Sequence, residues 1–266
     1  MSIDINLLKK LRELTFAPLK DCKDALVEAD GNLEKAQDIL KEKGVLKAWK
    51  KSDRETNEWL VKLAKKDDKI VGLKLLCETD FVAKNEWFNE LCDQILNELF
   101  SADTPFNSKD EAPVDLLNYL ENIVKEAVWS LWENMQIGDI LMTKKNAYLY
   151  NHPWNKVASL VFFEWEDESV AKEVALQVAA MNPIYLDFDS VPSDFLKSME
   201  EKFRQELLDS GKPENMVDQI LKWKLSKALA DDVLLEQEYI RDGSQKIKNI
   251  IPDWFKVKSY IRLSVK

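Results

Sequence analysis

The chain has 266 residues, 45% hydrophobic and 32% charged, with a formal net charge of -10. That length suits one large domain or two to three small ones around a sizeable core, and the charge argues against a general nucleic-acid binder. No apolar run approaches the ~20 residues of a membrane span, and Met1-Ser2-Ile3-Asp4-Ile5 has neither a basic n-region nor an arginine-rich transit character, so a cytoplasmic protein with no membrane partner is expected.

The charge is uneven. Through Lys66 there are 15 Lys+Arg against 12 Asp+Glu, and the remainder carries 23 against 36. A mildly basic head on an acidic body suits docking to an acidic protein surface better than wrapping nucleic acid. Cys22, Cys77 and Cys92 have no metal-type spacing, so reduced thiols are expected. The lone histidine, His152, argues against a His-based zinc site or a Ser-His triad, and no Walker-type loop or dinucleotide fingerprint is present. Neither an enzyme nor a cofactor or metal is expected.

Residues 1–44 read as three short helices. Asp4 is a candidate N-cap for a helix with Leu7, Leu8, Leu11 and Leu14 on one face. Pro18 opens a second helix carrying Leu19, Cys22, Ala25, Leu26 and Ala29. After Asp30-Gly31, Asn32 caps a third with Leu33, Ala36, Ile39 and Leu40, and Gly44 is its expected stop. Such three-helix modules resemble ubiquitin-associated domains. The charged stretch 47–58 reads as a linker.

Trp59–Leu63 and Lys69–Glu78 read as a β-hairpin turning at Lys65-Lys66-Asp67-Asp68. Next comes Glu78-Thr79-Asp80-Phe81-Val82-Ala83-Lys84-Asn85, then a helix with Phe88, Leu91, Cys92, Ile95 and Leu99 at helical spacing. Residues 101–112 read as a loop, and Val114, Leu117, Leu120, Val124 and Ala127 mark another helix. Residues 137–150 and 156–164 are predicted strands around Asn151-His152-Pro153-Trp154-Asn155, followed by a helix with Val170, Val174, Val178 and Ala179. The repeated order of strands then helix points to two related subdomains, 59–136 and 137–266. Residues 193–209 and 214–230 read as antiparallel helices, with Phe195, Met199, Phe203 and Leu207 facing Met216, Ile220 and Leu229. A short helix and a final strand, Val257 to Val265, close the chain.

On local physics, Phe81 caps the core and Asp80 caps the following helix. The other reading makes the pair a wedge, a ring for a partner's pocket with a carboxylate at its edge. Four blocks bear on the choice: Leu11-Arg12-Glu13-Leu14-Thr15 with Asp21-Cys22-Lys23-Asp24-Ala25-Leu26; Thr79-Asp80-Phe81-Val82-Ala83-Lys84-Asn85; Met181-Asn182-Pro183 with Val191-Pro192; and Gly211-Lys212-Pro213-Glu214-Asn215 with Leu234-Leu235-Glu236-Gln237. In order and spacing they resemble elongation factor Ts of bacteria and organelles. The resemblance implies an α+β fold: a ubiquitin-associated-like module at 1–46, a two-part core with antiparallel sheets, and a helical-hairpin arm at about 193–230. It also implies a guanine-nucleotide exchange factor for elongation factor Tu. Thr79, Asp80, Phe81 and Val82 would form the intruding element near the Mg²⁺ and phosphate site. Lys9, Arg12, Leu19, Lys20 and Lys23 would be the docking residues of the N-terminal module. The alternative is a ubiquitin-associated-like adaptor for protein or RNA without exchange activity.

The chain departs from that family in places. Trp59, Trp87, Trp132, Trp154, Trp165 and Trp223 stand where glycine is ordinary, and tryptophan (9) outnumbers glycine (6). Ordinary substitution with indoles filling core gaps is one account. The other is a source that reads UGA as glycine, translated here as tryptophan; six UGG codons would refute it. Phe16 also stands at a usual glycine. The chain stops soon after Val265, without the extra C-terminal helix of longer members.

Overall fold

The computed structural model describes residues 4–15, 17–51, 54–131, 133–164, 167–210 and 214–264. The expectations for Phe16, Trp132, Trp165, the Gly211-Lys212-Pro213 turn and Val265 lie outside those residues. The chain forms two compact units, Met1–Lys145 with Pro153–Lys156 and Leu263–Lys266, and Asn146–His152 with Val157–Arg262.

The first unit opens with three helices, α1 (Ile5–Thr15), α2 (Leu19–Glu28) and α3 (Leu33–Lys51). Asp4 and Asn32 cap as expected: the Asn6 N–H donates to Asp4 Oδ1 (2.8 Å) and the Lys35 N–H to Asn32 Oδ1 (3.0 Å). Pro18 sits one position earlier than expected, at the N-cap of α2, where its carbonyl accepts from Cys22 N (3.0 Å). Between α2 and α3 the chain turns at Asp30 (φ 49°) and Gly31 (φ 82°), and the Gly31 N–H donates back to Leu26 O (2.9 Å). Leu11, Cys22, Ala25, Leu26, Ala36 and Leu40 form the small core, while Leu14 and Leu19 are half exposed.

Gly44 does not stop the third helix. α3 runs on to Lys51, so the first part of the expected linker is helical. One glycine in a helix interior costs only about 1 kcal/mol. α3 also packs along a later helix, α6.

The hairpin forms as read: β1 (Glu58–Lys66) pairs antiparallel with β2 (Lys69–Cys77), and Asp67 takes the left-handed φ (54°) that aspartate tolerates. The one-turn α4 (Asp80–Ala83), α5 (Glu86–Leu99) and α6 (Val114–Leu131) follow. The predicted 137–150 strand is in fact two. β3 (Met135–Thr143) lies beside β2, giving the order β1-β2-β3, whereas β4 (Ala147–Asn151) belongs to another sheet. The apolar run hides the break, which a short polar turn makes, with Thr143 Oγ1 accepting from Lys145 N (3.1 Å). The expected boundary at 136/137 therefore moves beyond β3. Val71, Leu73, Leu75 and Cys77 alternate onto one face of the sheet, where Phe88, Ile95, Leu99, Leu120 and Val124 cover them. On the other face a methyl group on Gly72 would sit 2.7 Å from Leu63 Cδ2 and 2.9 Å from Leu141 Cγ, so both neighbours can close only on glycine.

The second unit repeats the plan. β4 pairs with β5 (Ala158–Phe163), then α7 (Glu168–Met181) crosses the pair, and the third strand arrives much later as β8 (Val257–Leu263), in the order β4-β5-β8. Asp167 caps α7 by accepting from Ser169 N (2.9 Å) and Val170 N (3.2 Å). Between β5 and β8 lie α8 (Ser193–Asp209), α9 (Glu214–Ala228), the hairpin β6 (Glu238–Tyr239) and β7 (Asp242–Lys246), and α10 (Ile247–Ile250). The two long helices seal around Leu207, Val217, Leu221 and Leu225. Phe195 and Met216, expected in that seam, are exposed, and Leu229 packs instead with Val191 and Val233. α9 turns a different stripe inward than its spacing suggested, one step along from Met216.

Trp87 packs half-buried on the first core, and the Trp59 indole N–H donates to Lys156 O (2.8 Å). Gap-filling therefore describes Trp87. It does not describe Trp154, which is 88% exposed at φ 76°, ψ 1°, or the exposed Trp223. A bulky residue in the left-handed region costs about 1–3 kcal/mol. Trp154→Gly is accordingly expected to stabilise the protein by about 1 kcal/mol, after the extra freedom glycine brings to the unfolded chain, read as a higher urea midpoint with an unchanged slope.

Candidate functional site

The Asp80-Phe81 corner is built by a single helical turn. Val82 (7% exposed) and Ala83 (8%) point into the first core. Residues in a helix advance about 100° each, so one turn cannot turn three consecutive side chains inward. Phe81 is left outside, 81% exposed. The local reading, with Phe81 capping the core, is therefore overturned.

So is the reading of Asp80 as a cap. Thr79 is the N-cap of α4, its hydroxyl oxygen accepting from Val82 N (3.4 Å), and Asn85 caps α5 by accepting from Trp87 N (2.9 Å). Asp80 instead pairs with Lys84 one turn on (2.7 Å), and its carboxylate stays half exposed. Val82, grouped with the wedge in the sequence, is a core residue that anchors the turn and offers a partner almost no surface.

The turn is closed by main-chain bonds from Ala83 N to Thr79 O (3.2 Å), Lys84 N to Asp80 O (3.1 Å) and Asn85 N to Val82 O (2.9 Å). Below it, Thr79 donates its N–H and its hydroxyl to the two oxygens of Glu133 (3.1 and 2.7 Å). Burial, then the nearby Glu133 charge, pushes the Cys77 thiol up to about 12, so it is no thiolate nucleophile at neutral pH. Cys22, Cys77 and Cys92 are all free and buried. Among the described residues no cluster could hold a metal, and no helix is long and apolar enough to cross a membrane.

Lys9, Arg12, Leu19, Lys20 and Lys23 are all exposed, the first two on α1 and the others on α2. Sequence reading missed two apolar neighbours. Ile5 (67% exposed) lies one turn before Lys9, and Val27 (51%) one turn after Lys23. Each module helix thus carries cations flanked by aliphatic side chains. The signal was present: both residues fall off the Leu11 and Cys22-Ala25-Leu26 stripes.

The hydrogen bond from Lys84 holds the Asp80 carboxyl below its usual value of 3.8, and the same bond raises Lys84 above 10.5. The carboxylate's contribution is present above about pH 4 and lost as pH falls through the folded value. The ammonium's is present below about pH 10 and lost as pH rises through its raised value. The pair is intact at neutral pH. Carbon-detected titration is expected to place Asp80 below 3.8, with Lys84→Met moving it upward.

The sequence model of the family described as Elongation factor TS matches residues 78–266, from the corner to the end of the chain. The elongation factor Ts of Aquifex aeolicus is 36% identical over 270 residues, covering 95% of this chain and 93% of its own. That of Hydrogenobaculum sp. is 36% identical over 255 residues (94% and 93%), and that of Desulfovibrio desulfuricans 37% over 269 (94% and 91%). An exposed phenylalanine on a braced turn, a helical module before it and full-length likeness on both sides agree: the chain belongs to the elongation factor Ts family of translation elongation factors.

Proposed function

We propose that this chain promotes GDP release from elongation factor Tu by inserting Phe81 beside the partner's Mg²⁺ and phosphate site. The observation that carries the reading is Phe81 itself, 81% exposed on a turn whose next two residues are buried. Family membership makes the chain a translation elongation factor with nucleotide-exchange function. The wedge and its target are the finer part of the proposal.

The physics is linkage. A factor that binds the nucleotide-free GTPase more tightly than the GDP form must weaken GDP binding by the same coupling free energy. Burying one phenylalanine contributes about 1.5–3 kcal/mol, or about one to two decades in the GDP dissociation constant. Disturbance of the Mg²⁺ site by the ring and by Asp80 supplies the rest. No bond is made or broken in the factor, so no acid, base or nucleophile is required of it.

The α1–α2 surface has a separate role in this reading. Lys9, Arg12, Lys20 and Lys23, with Leu19 among them, dock the module on the GTPase and raise the encounter rate with an acidic partner. The adaptor reading accounts for that module alone, whereas the likeness continues through residue 266.

Two measurements test the proposal with labelled GDP on elongation factor Tu. Phe81→Ala is expected to slow stimulated release at saturating factor by about tenfold or more, while the urea midpoint barely moves because the ring is already in water. Unchanged release would refute the wedge. Leu19→Ser with Lys23→Glu is expected to raise the half-saturating concentration by roughly tenfold and leave the saturated rate near wild type. A saturated rate that collapses instead would place these residues in the exchange step itself.

A further inference from the structure

The ladder between β2 and β3 has its last backbone pair at Cys77 and Met135. Continued in the same antiparallel register, Glu78 would face Asn134 and Thr79 would face Glu133. The two segments do continue to bond, but through side chains. The Asn134 N–H donates to Glu78 Oε1 (2.6 Å), and the Thr79 N–H donates to Glu133 Oε2 (3.1 Å). Each segment sends a main-chain N–H into the other's carboxylate. Carboxylates take the place of strand carbonyls just where the chain must leave the sheet to form α4.

The Thr79 hydroxyl completes the arrangement. It donates to Glu133 Oε1 (2.7 Å), and a carboxylate can only accept, so the direction of that proton is set. The oxygen's lone pairs are left for the Val82 N–H of the wedge turn (3.4 Å). Bonds to an ionised acceptor are stronger than neutral ones, and here two converge on one carboxylate from one residue. Glu78 is itself tied to the Arg54 guanidinium (3.4 Å), and the Arg54 carbonyl accepts from the Asn134 side chain (2.7 Å).

We infer that Glu133 is a positioning residue for nucleotide exchange: by gripping the N–H and hydroxyl of Thr79 it fixes the direction in which α4 starts and so where Phe81 is presented. This rests on the wedge reading of Phe81. α4 is one turn long, so its direction is set by Val82 and Ala83 in the core beneath it and by the attachments at its two ends. At its far end Asn85 begins α5. At its near end Thr79 joins it to the sheet, where Glu133 grips the Thr79 N–H and hydroxyl and the Cys77 thiol donates to the Thr79 carbonyl (3.3 Å). A wedge already ordered before encounter avoids ordering cost at the interface. With Val82 and Ala83 still buried, a Thr79 released from Glu133 would aim the start of α4 and the ring less tightly, and that cost would fall on the exchange step rather than on docking.

The test is a double-mutant cycle on the full chain, reading stimulated GDP release from elongation factor Tu for wild type, Glu133→Ala, Phe81→Ala and the double variant. Glu133→Ala is expected to lower the saturated rate by about tenfold and to change the half-saturating concentration less than about twofold. In the Phe81→Ala background it is expected to have no further effect, because a positioning residue acts only through the side chain it positions. If Phe81→Ala slows release but Glu133→Ala does not, or if the two losses multiply, the positioning role is overturned and the wedge stands. If Phe81→Ala leaves release unchanged, the wedge fails and this inference fails with it. Glu133→Gln carries the same test should Glu133→Ala not fold. Its carbonyl can still accept from the hydroxyl while its amide faces the Thr79 N–H, so a loss of about threefold is expected, and full activity would overturn the role.

Discussion

Val82 and Ala83 go into the core, and Phe81 therefore cannot. That steric consequence of one helical turn is the constraint on which the proposed wedge depends. The core gains the small buried residues and the surface receives the large one, the reverse of what hydrophobicity alone would arrange. Solvating a phenylalanine gives up about 1.5–3 kcal/mol relative to burying it. The rest of the unit makes that tolerable. A three-stranded sheet covered by Phe88, Ile95, Leu99, Leu120 and Val124 holds the turn from below, and caps at Thr79 and Asn85 close it at both ends.

The sheet also decides what the corner can be attached to. β3 is the strand that the sequence placed in the wrong subdomain, and its pairing with β2 brings residues 133 and 134 beside 78 and 79. With the boundary at 136/137 that proximity would have no cause. With β3 in the first sheet it follows from the register. A Gly138 bulge between Lys74 and Leu75 shifts the pairing by one residue before the ladder reaches its end. Without that shift Met135 would not stand opposite Cys77, and Glu133 would miss Thr79.

Much of the fold was legible because it follows short periods. Phe88, Leu91, Cys92, Ile95 and Leu99 announce α5, Lys65-Lys66-Asp67-Asp68 marks a two-strand turn, and Asp4 and Asn32 cap the helices they precede. What failed was wherever periodicity says nothing about tertiary partners. Gly44 looks like a stop, but α3 continues through it to Lys51. Met216 and Phe195 fit an inward stripe, yet α8 and α9 close on Val217, Leu221 and Leu225. The corner itself was legible as a motif and misread as local physics. Asp80 is in the right place to cap, but Thr79 precedes it and has the better geometry. Glu133 carried no local signal at all, since its partner lies 54 residues away.

The proposed separation of docking from displacement has a physical basis in where the charges and the ring lie. In the proposed docking role, exposed cations on α1 and α2 would act over about a Debye length, roughly 8–10 Å, and so speed encounter without needing a fixed geometry. An aromatic ring acts only at contact and only if aimed. The two tasks accordingly ask different things of the chain. The N-terminal module, with a small core of leucines, alanines and one cysteine, can be modest in stability and still steer. The corner cannot: as the proposed wedge, its effect on bound GDP would be limited to the difference between its contacts in the two states of the partner. Any freedom of the ring subtracts directly from that difference. On the proposed mechanism a half-buried glutamate 54 residues along the chain bears on exchange through the phenylalanine that it helps to aim.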